Sequence, residues 1–262
     1  MDELLTRLLT ADGAITLLTA AGLIVLAGFT SLITASLGIG GGVLLLAVMA
    51  TTVPVAALIP LHGLVQLGSN GNRAVMTRRH IDWKMLIYFS LGALPGALLA
   101  SLLVVQLPLV VIQYAVAGFI LFLVWGSKPQ VREMSPLGRM LAGAVTTLVA
   151  MFVGATGPLV AAFVHRNGYS KMQITATFAS CMTFQNILKA VVFTAVGFQF
   201  FAWLGLISAM VLSGFIGTWA GLKILSKIPP ERFLRVFRWI VTLLALKLIW
   251  EATLLVVSPQ LA

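Results

Sequence analysis

The sequence predicts an all-α polytopic membrane protein with an inverted-topology repeat, each half having about four full spans plus one short broken or re-entrant helix. Three observations lead to this prediction: long uncharged segments, basic residues confined to some of the loops between them, and a second half that repeats the first. Of the 262 residues, 60% are hydrophobic and only 9% are charged. Apolar segments of this length are typical of membrane-spanning helices, so a soluble fold is excluded.

The spans are placed from the uncharged segments, which cover residues 13–72, 85–127, 140–165 and 190–222. We predict eight long spans, at residues 14–37, 54–77, 84–105, 108–126, 137–153, 171–196, 200–224 and 233–257. Two shorter apolar segments, 42–52 and 158–165, remain. At about 1.5 Å per residue, neither is long enough to cross a hydrocarbon core of about 30 Å.

These spans divide the chain into five parts. We predict an N-terminal segment (1–13), a first transmembrane repeat (14–126), a cytoplasmic linker (127–136), a second, inverted transmembrane repeat (137–257) and a C-terminal tail (258–262).

The loops indicate which side of the membrane each span begins on. Residues 77–84, 128–139, 166–171 and 223–238 are rich in lysine and arginine, whereas 51–54, 106–108 and 197–200 hold no charge. Basic loops face the cytoplasm, so both termini are predicted to lie outside. The net charge of +10 comes largely from these loops. We therefore expect the lipid bilayer as a partner, and no nucleic acid.

The second half repeats the first at an offset of about 116 residues. The aligned pairs are Gly38 and Gly154, Gly41 and Gly157, Asn70 and Asn186, and Arg73 and Lys189. Corresponding loops of the two halves fall on opposite sides of the membrane. This pattern predicts an inverted-topology repeat, as found in many secondary transporters.

Glycine clusters interrupt each half at the matching place. Residues 36–44 read SLGIGGGVL and residues 153–158 read VGATGP, and each cluster leads into one of the short apolar segments. Non-helical backbone at membrane depth survives only where protein or a wet cavity surrounds it. We therefore predict two helix breaks, with short helices whose N-termini bind an anion. The alternative is that these glycines only permit close helix packing.

Polar residues lie on the span that follows each break. His62, Gln66, Asn70 and Arg73 fall on one helical face, because they are spaced three or four residues apart. Ionisable residues within spans are costly and usually functional. Two alternatives stay open: Arg73 reaches the cytoplasmic surface by snorkelling, and His62 is a structural histidine.

The predicted chemistry favours an anion. Only Glu251 among the acidic residues falls within a proposed span, whereas carriers of cations usually keep a carboxylate deep in the membrane. The sequence has no GxGxxG after a strand, no P-loop lysine, no HExxH and no nucleophile elbow. We predict a protein that is not an enzyme, with no catalytic residues, no metal site and no cofactor.

The predicted substrate site combines both breaks with the polar residues of the following spans. Its members are Gly38, Gly40, Gly41, Gly42, Gln66, Asn70, Arg73, Gly154, Thr156, Gly157, Asn186 and Lys189, with His62 as the candidate for proton coupling.

Several of these motifs resemble those of the TauE/SafE family of sulfite and organosulfonate exporters. The resemblance rests on SLGIGGGVL at 36–44, on GSNGNRAVM at 68–76 and on the loop TRRHIDWK at 77–84. It implies a carrier of sulfur-containing oxyanions or organic anions in the bacterial inner membrane, where the outside termini predicted from the loops would be periplasmic. The second half departs from the family's pattern, because GATGP stands where a second GxGGG is expected. Thr156 would there supply a hydroxyl donor in place of glycine.

The leading hypothesis is a secondary transporter that moves a small anion, such as sulfite or sulfoacetate, by alternating access. An anion channel and a non-transporting membrane scaffold or enzyme subunit are the alternatives. The sequence indicates no particular oligomeric state.

Overall fold

The computed structural model describes residues 2–38, 40–104, 108–126, 134–164, 169–224 and 230–257. These residues form eleven α-helices and two short 3-10 turns, without any strand. The helices are α1 (Asp2–Thr10), α2 (Leu17–Leu37), α3 (Gly41–Met49), α4 (Val55–Met76), α5 (Trp83–Val104), α6 (Leu109–Trp125), α7 (Pro136–Val153), α8 (Gly157–Val164), α9 (Lys171–Ala195), α10 (Leu204–Lys223) and α11 (Pro230–Val257). The predicted all-α fold is confirmed.

Six helical stretches of the described chain are long and apolar enough to cross a membrane. They are Leu17–Leu37, Trp83–Leu103, Pro136–Val153, Lys171–Ala195, Phe200–Lys223 and Arg238–Val257. The two remaining predicted long spans correspond to α4 and α6. Helix α6 has only 17 residues, and α4 carries His62, Gln66, Asn70 and Arg73 among its buried residues, which lowers its hydropathy. The protein is therefore a multi-pass membrane protein.

Helices α4 and α9 form the centre of the molecule, where they pack against each other. Helix α10 also contacts α4, and α5 contacts α9. Around this centre α2 packs on α10, α7 packs on α5, and α6 packs on α11. Glycines allow the tight contacts: a Cβ on Gly217 would lie 1.9 Å from the Gly28 carbonyl oxygen, and one on Gly143 would lie 2.0 Å from that of Phe89.

The outward faces of these helices suit a lipid environment. Leu98, Leu212 and Ile216 are each at least 66% exposed. Two tryptophans lie at helix ends near basic loops: Trp125 donates a hydrogen bond to Thr242 at 2.8 Å, and the Lys223 ammonium lies 3.4 Å from the Trp219 ring centre. Aromatic and basic side chains at helix ends are typical of a membrane interface.

Some boundaries differ from the sequence predictions. Helix α1 was not predicted; it forms within the N-terminal segment and packs on α10, where a Cβ on Gly205 would lie 2.4 Å from the Leu8 carbonyl oxygen. Helix α11 begins at Pro230, inside the basic segment predicted as a loop. Most of the predicted linker, 127–133, and the tail, 258–262, lie outside the described residues.

Asp82, in the loop before α5, joins the two halves of the chain. Its backbone N–H donates to the Thr177 hydroxyl of α9 at 2.9 Å. Its carboxylate accepts hydrogen bonds from the Tyr169 hydroxyl and, at 3.1 Å, from the N–H of Met85. The loop is thereby held against the start of α9.

Candidate functional site

The first predicted helix break lies between α2 and α3. Helix α2 ends at Leu37, and Gly38 has a left-handed backbone with φ of 87°. Gly40 follows with φ of 108°, and α3 begins at Gly41. Both φ values favour glycine, because a side chain would be strained there. With nine residues, α3 is about 13 Å long and too short to cross a bilayer.

The next two glycines of this break have different surroundings. A Cβ on Gly41 would lie 1.9 Å from the Thr30 carbonyl oxygen, so Gly41 lets α3 pack on α2. A Cβ on Gly42 would lie 3.0 Å from the side-chain oxygen of Gln66. The close-packing alternative therefore describes Gly41, whereas Gly38 and Gly40 have a conformational role.

The second predicted break lies between α7 and α8. Helix α7 ends at Val153, Gly154 has φ of 80°, and α8 begins at Gly157 and has eight residues. The Thr156 carbonyl accepts the N–H groups of Leu159 and Val160, both at 3.0 Å. Both interruptions that the sequence predicts are thus present.

The two short helices differ in the backbone donors of their first turns. In α3 the N–H groups of Val43 and Leu44 both bond to the Gly40 carbonyl, at 3.0 and 3.1 Å. The N–H groups of Gly41 and Gly42 have no acceptor within the described residues. In α8, Pro158 has no N–H, and the next two are taken by Thr156. The α3 terminus therefore offers two donors and the α8 terminus one.

A small cleft lies where the two breaks meet. Its walls come from α2, from the starts of α3 and α8, and from the central helices α4 and α9. The lining residues are Thr34, Gly40, Gly42, Val43, His62, Gln66, Asn70, Ala155, Gly157, Pro158, Phe178 and Met182. The structure thus brings both breaks together around one cleft.

A chain of hydrogen bonds runs along α4 away from the cleft. The Asn70 amide donates to the Gln66 carbonyl at 2.8 Å and to its side-chain oxygen at 3.3 Å. The Arg73 guanidinium donates to the Asn70 side chain at 3.5 Å and to Ser69 at 3.4 Å. Ser69 in turn bonds to Ser31 of α2 at 3.0 Å. Arg73 is fully buried and points inward, so the snorkelling alternative is wrong.

Lys189 of α9 holds the second break. Its ammonium donates to the Gly154 carbonyl at 2.7 Å, and its side chain is 1% exposed. Its stem crosses α4 at Gly63, where a Cβ would lie 2.6 Å from the lysine Cδ. Within the described residues, neither Lys189 nor Arg73 forms an ion pair.

A second buried network surrounds Gln185. Its side-chain oxygen accepts the Thr156 hydroxyl at 2.8 Å, and its nitrogen donates to Thr146 at 3.3 Å and Thr147 at 3.2 Å. The Thr156 hydroxyl therefore donates its hydrogen bond to Gln185, inside the protein, and does not line the cleft. The neighbouring Asn186 amide nitrogen is buried and has no partner among the described residues.

His62 lies in the cleft wall and touches the first break. Its Nε2–H donates to the Gly42 carbonyl at 2.9 Å. Its Nδ1 is buried and unpartnered within the part of the chain that the structure describes. The histidine therefore has a structural contact and a free ring nitrogen.

The predicted site residues thus divide into two groups. Six of them line the cleft: Gly40, Gly42, His62, Gln66, Asn70 and Gly157. The others lie behind it: Gly38, Gly41, Arg73, Gly154, Thr156, Asn186 and Lys189. The sequence reasoning missed Phe178 and Met182. The offset of the repeat could have identified them, because it aligns Phe178 with His62 and Met182 with Gln66.

A family model described as "Sulfite exporter TauE/SafE" matches residues 23–248, which is most of the chain and includes both breaks. The chain belongs to the TauE/SafE family. This confirms the resemblance seen in the sequence and indicates a membrane transporter of sulfur-containing anions. No curated protein and no solved structure matches the chain significantly. In this TauE/SafE member the matched segment begins within α2 and leaves out α1.

Proposed function

We propose that this protein is a secondary transporter that moves a small sulfur-containing oxyanion or organosulfonate across the bacterial inner membrane by alternating access. Sulfite and sulfoacetate are representative substrates. The observation that carries the proposal is the meeting of two helix breaks, one from each half, around a single cleft. Broken helices at matched positions of two repeats are where secondary transporters bind their substrates.

The first turn of α3 supports an anionic substrate. Its free Gly41 and Gly42 N–H groups and the positive end of the helix dipole favour negative charge. The side-chain amides of Gln66 and Asn70 line the same cleft. The Asn70 amide already donates to Gln66, so the Gln66 side-chain nitrogen and the two backbone N–H groups are the donors that suit the oxygens of a sulfonate or sulfite.

The buried cations give the site its charge. Lys189 and Arg73 are each at most 1% exposed, and neither has a carboxylate partner within the described residues. A buried charge without a counter-ion is costly. An anion in the cleft lowers that cost. Lys189 does not line the cleft and influences the anion indirectly. Its ammonium holds the carbonyl of Gly154, and the next residue in the chain, Ala155, lines the cleft.

The arrangement of helices supports the inverted repeat. If α2 to α6 correspond to α7 to α11, then the contact of α2 with α10 has its counterpart in that of α7 with α5. The contact of α4 with α10 likewise matches that of α9 with α5. Alternating access would then exchange the packing of the two halves around the cleft.

The proposed orientation has a direct test. The single cysteine, Cys181, is fully buried, so we expect it not to react with the labelling reagent. Arg79 and Gln199 are exposed at opposite predicted faces. In intact cells, a membrane-impermeant maleimide is expected to label Gln199→Cys and to leave Arg79→Cys unlabelled. The reverse result would place the termini in the cytoplasm.

The transport proposal is tested in proteoliposomes with labelled sulfite and sulfoacetate. Lys189→Ala and Asn186→Ala are expected to reduce uptake at least about tenfold, which corresponds to a loss of about 1.4 kcal/mol of stabilisation of the bound anion. The matched control is Lys247→Ala, because Lys247 is half-exposed and pairs with Glu251 at 3.4 Å. If both site variants transport like the wild type, the site assignment is wrong.

Counter-exchange separates a carrier from a pore. An alternating-access carrier loaded with unlabelled anion accelerates uptake of the labelled anion, whereas a channel gives single-channel currents and no such acceleration. His62 is tested in the same vesicles. If it carries a coupled proton on Nδ1, His62→Gln abolishes the response of uptake to a pH gradient while sulfite binding persists.

A further inference from the structure

The two walls of the cleft have opposite chemical character. The wall from the first half presents the polar side chains of His62, Gln66 and Asn70 on α4, together with Thr34 of α2 and Val43 of α3. The wall from the second half presents Phe178 and Met182 of α9, which are 4% and 5% exposed.

This difference lies at matched positions of the repeat. The offset of about 116 residues that aligns Asn70 with Asn186 also aligns His62 with Phe178 and Gln66 with Met182. All four of these side chains line the cleft. In each half one of these side chains lies against the first turn of the short helix: Gln66 lies against Gly42 of α3, and the Phe178 ring tip lies 3.6 Å from a Cβ position on Gly157 of α8.

The backbone follows the same division. Gly42 of α3 aligns with Pro158 of α8, which has no N–H to donate. The first half thus offers two free backbone N–H groups and the Gln66 side-chain nitrogen, because the Asn70 amide is bonded to Gln66, whereas the second half offers one backbone N–H group beside an aromatic ring and a thioether. The polar end of a bound solute therefore belongs at α3 and its apolar part at α9.

A small inorganic oxyanion does not fit this pair of walls well. It has hydrogen-bond acceptors on every side, and those facing Phe178 and Met182 would lose water without gaining a donor. An organic anion with a short apolar tail places its oxygens at α3 and buries its methylene groups against the second wall. Such burial tightens binding by about fourfold per methylene group.

Resting on the proposed transport function, we infer that the preferred substrate is an organosulfonate with an apolar tail. Its sulfonate binds at the start of α3, and its tail contacts Phe178 and Met182. These two residues determine specificity through the tail and not through the charge.

The experiment measures binding of a graded series of anions to the purified full-length protein. The series is sulfite, methanesulfonate, ethanesulfonate, propanesulfonate and 2-hydroxyethanesulfonate, each titrated by thermal shift and by competition with labelled propanesulfonate uptake. We expect affinity to rise by up to about fourfold for each added methylene. We expect 2-hydroxyethanesulfonate to bind at least about tenfold more weakly than propanesulfonate, which has the same number of heavy atoms, because its hydroxyl is buried without a partner.

Two substitutions place the polar residues of the first wall at the matched positions of the second wall. Met182→Gln and Phe178→His are expected to reduce the preference for propanesulfonate over 2-hydroxyethanesulfonate at least about fivefold, while Met182→Leu keeps it. The matched control is Met76→Gln, because Met76 is 42% exposed at the end of α4. Unfolding of the free protein and elution as a single species show whether each variant is folded. If Met182→Gln does not fold, Phe178→His and the wild-type series decide the question.

The outcomes separate this inference from the proposed function. If the wild type binds and transports sulfite or 2-hydroxyethanesulfonate as well as propanesulfonate, the inference is overturned and the transport function stands. The same holds if folded wall variants keep the wild-type preference. If no anion of the series stabilises the protein or crosses the membrane, the proposed function fails first.

Discussion

Substitution by alanine is expected to lower the stability of the protein at one of two neighbouring glycines at the start of α3, and its affinity for the anion at the other. Gly41 faces α2 and Gly42 faces the cleft, so Gly41→Ala and Gly42→Ala add one methyl group on different sides of one helical turn. The first change tests how the break is packed. The second tests whether the cleft binds the anion.

The magnitudes follow from the distances. At Gly41 the new Cβ would lie 1.9 Å from the Thr30 carbonyl oxygen and 2.3 Å from the Thr34 hydroxyl, both on α2. Because ordinary contacts there begin near 3.4 Å, α3 must move away by roughly 1.5 Å. Overpacking of this kind costs about 1–3 kcal/mol or more.

At Gly42 the nearest atom is the end of a flexible side chain, the Gln66 oxygen at 3.0 Å. Gln66 is able to move aside, and alanine is favoured over glycine in a helix by up to about 1 kcal/mol. We therefore expect the stability of Gly42→Ala to lie within about 1 kcal/mol of the wild type. The methyl group occupies the cleft and displaces the Gln66 side-chain amide, whose nitrogen is a donor. Anion affinity is therefore expected to fall at least about tenfold.

The assay combines thermal unfolding in detergent with uptake of labelled sulfonate into proteoliposomes. Gly41→Ala should lower the unfolding temperature clearly, and Gly42→Ala should lose uptake at an unchanged unfolding temperature. Gly118→Ala is the control, since nothing lies within 4 Å of a Cβ at that position. A stable Gly41→Ala, or a Gly42→Ala that transports normally, would refute the reasoning.

Three further predictions concern buried contacts. Burial raises the pKa of Asp82, but hydrogen bonds from Tyr169 and from backbone N–H groups outweigh it and hold that pKa below its ordinary value. A lowered carboxyl pKa stabilises the folded state above the unfolded pKa of about 4, and this stabilisation is lost as pH falls through the folded pKa. The gap in unfolding temperature between the wild type and Tyr169→Phe should therefore be constant above about pH 5 and narrow below about pH 4; a gap independent of pH would contradict this. Thr156→Val and Gln185→Leu should each cost about 1–3 kcal/mol, and the double variant should cost less than their sum, because each single change leaves a buried partner unsatisfied; strict additivity in unfolding experiments would count against the network. Lys189→Met should destabilise the protein by about 1–3 kcal/mol, because a buried carbonyl loses its donor, and a variant as stable as the wild type would show that this bond contributes little.

The sequence by itself determined the class of fold and the places where helices stop. Hydropathy is a local property, so the uncharged segments predict the spans without knowledge of their neighbours. The breaks at Gly38–Gly42 and Gly154–Pro158 are also local, because Gly38, Gly40 and Gly154 adopt positive φ values that glycine alone adopts easily. Helix α1 was missed because its nine residues combine three exposed leucines with charged groups and resemble an ordinary polar terminus.

The tertiary structure decided which polar groups reach the cleft. Lys189 and Thr156 were predicted to contact a substrate, but the packing of α4 on α9 directs the lysine to the Gly154 carbonyl, and Gln185 accepts the threonine hydroxyl. The same packing turns Phe178 and Met182 into the cleft. Side chains on one helix face are known from their spacing, whereas their partners lie on segments far apart in the chain. Hydrogen bonds over such separations depend on how helices cross, and only the folded arrangement contains that information.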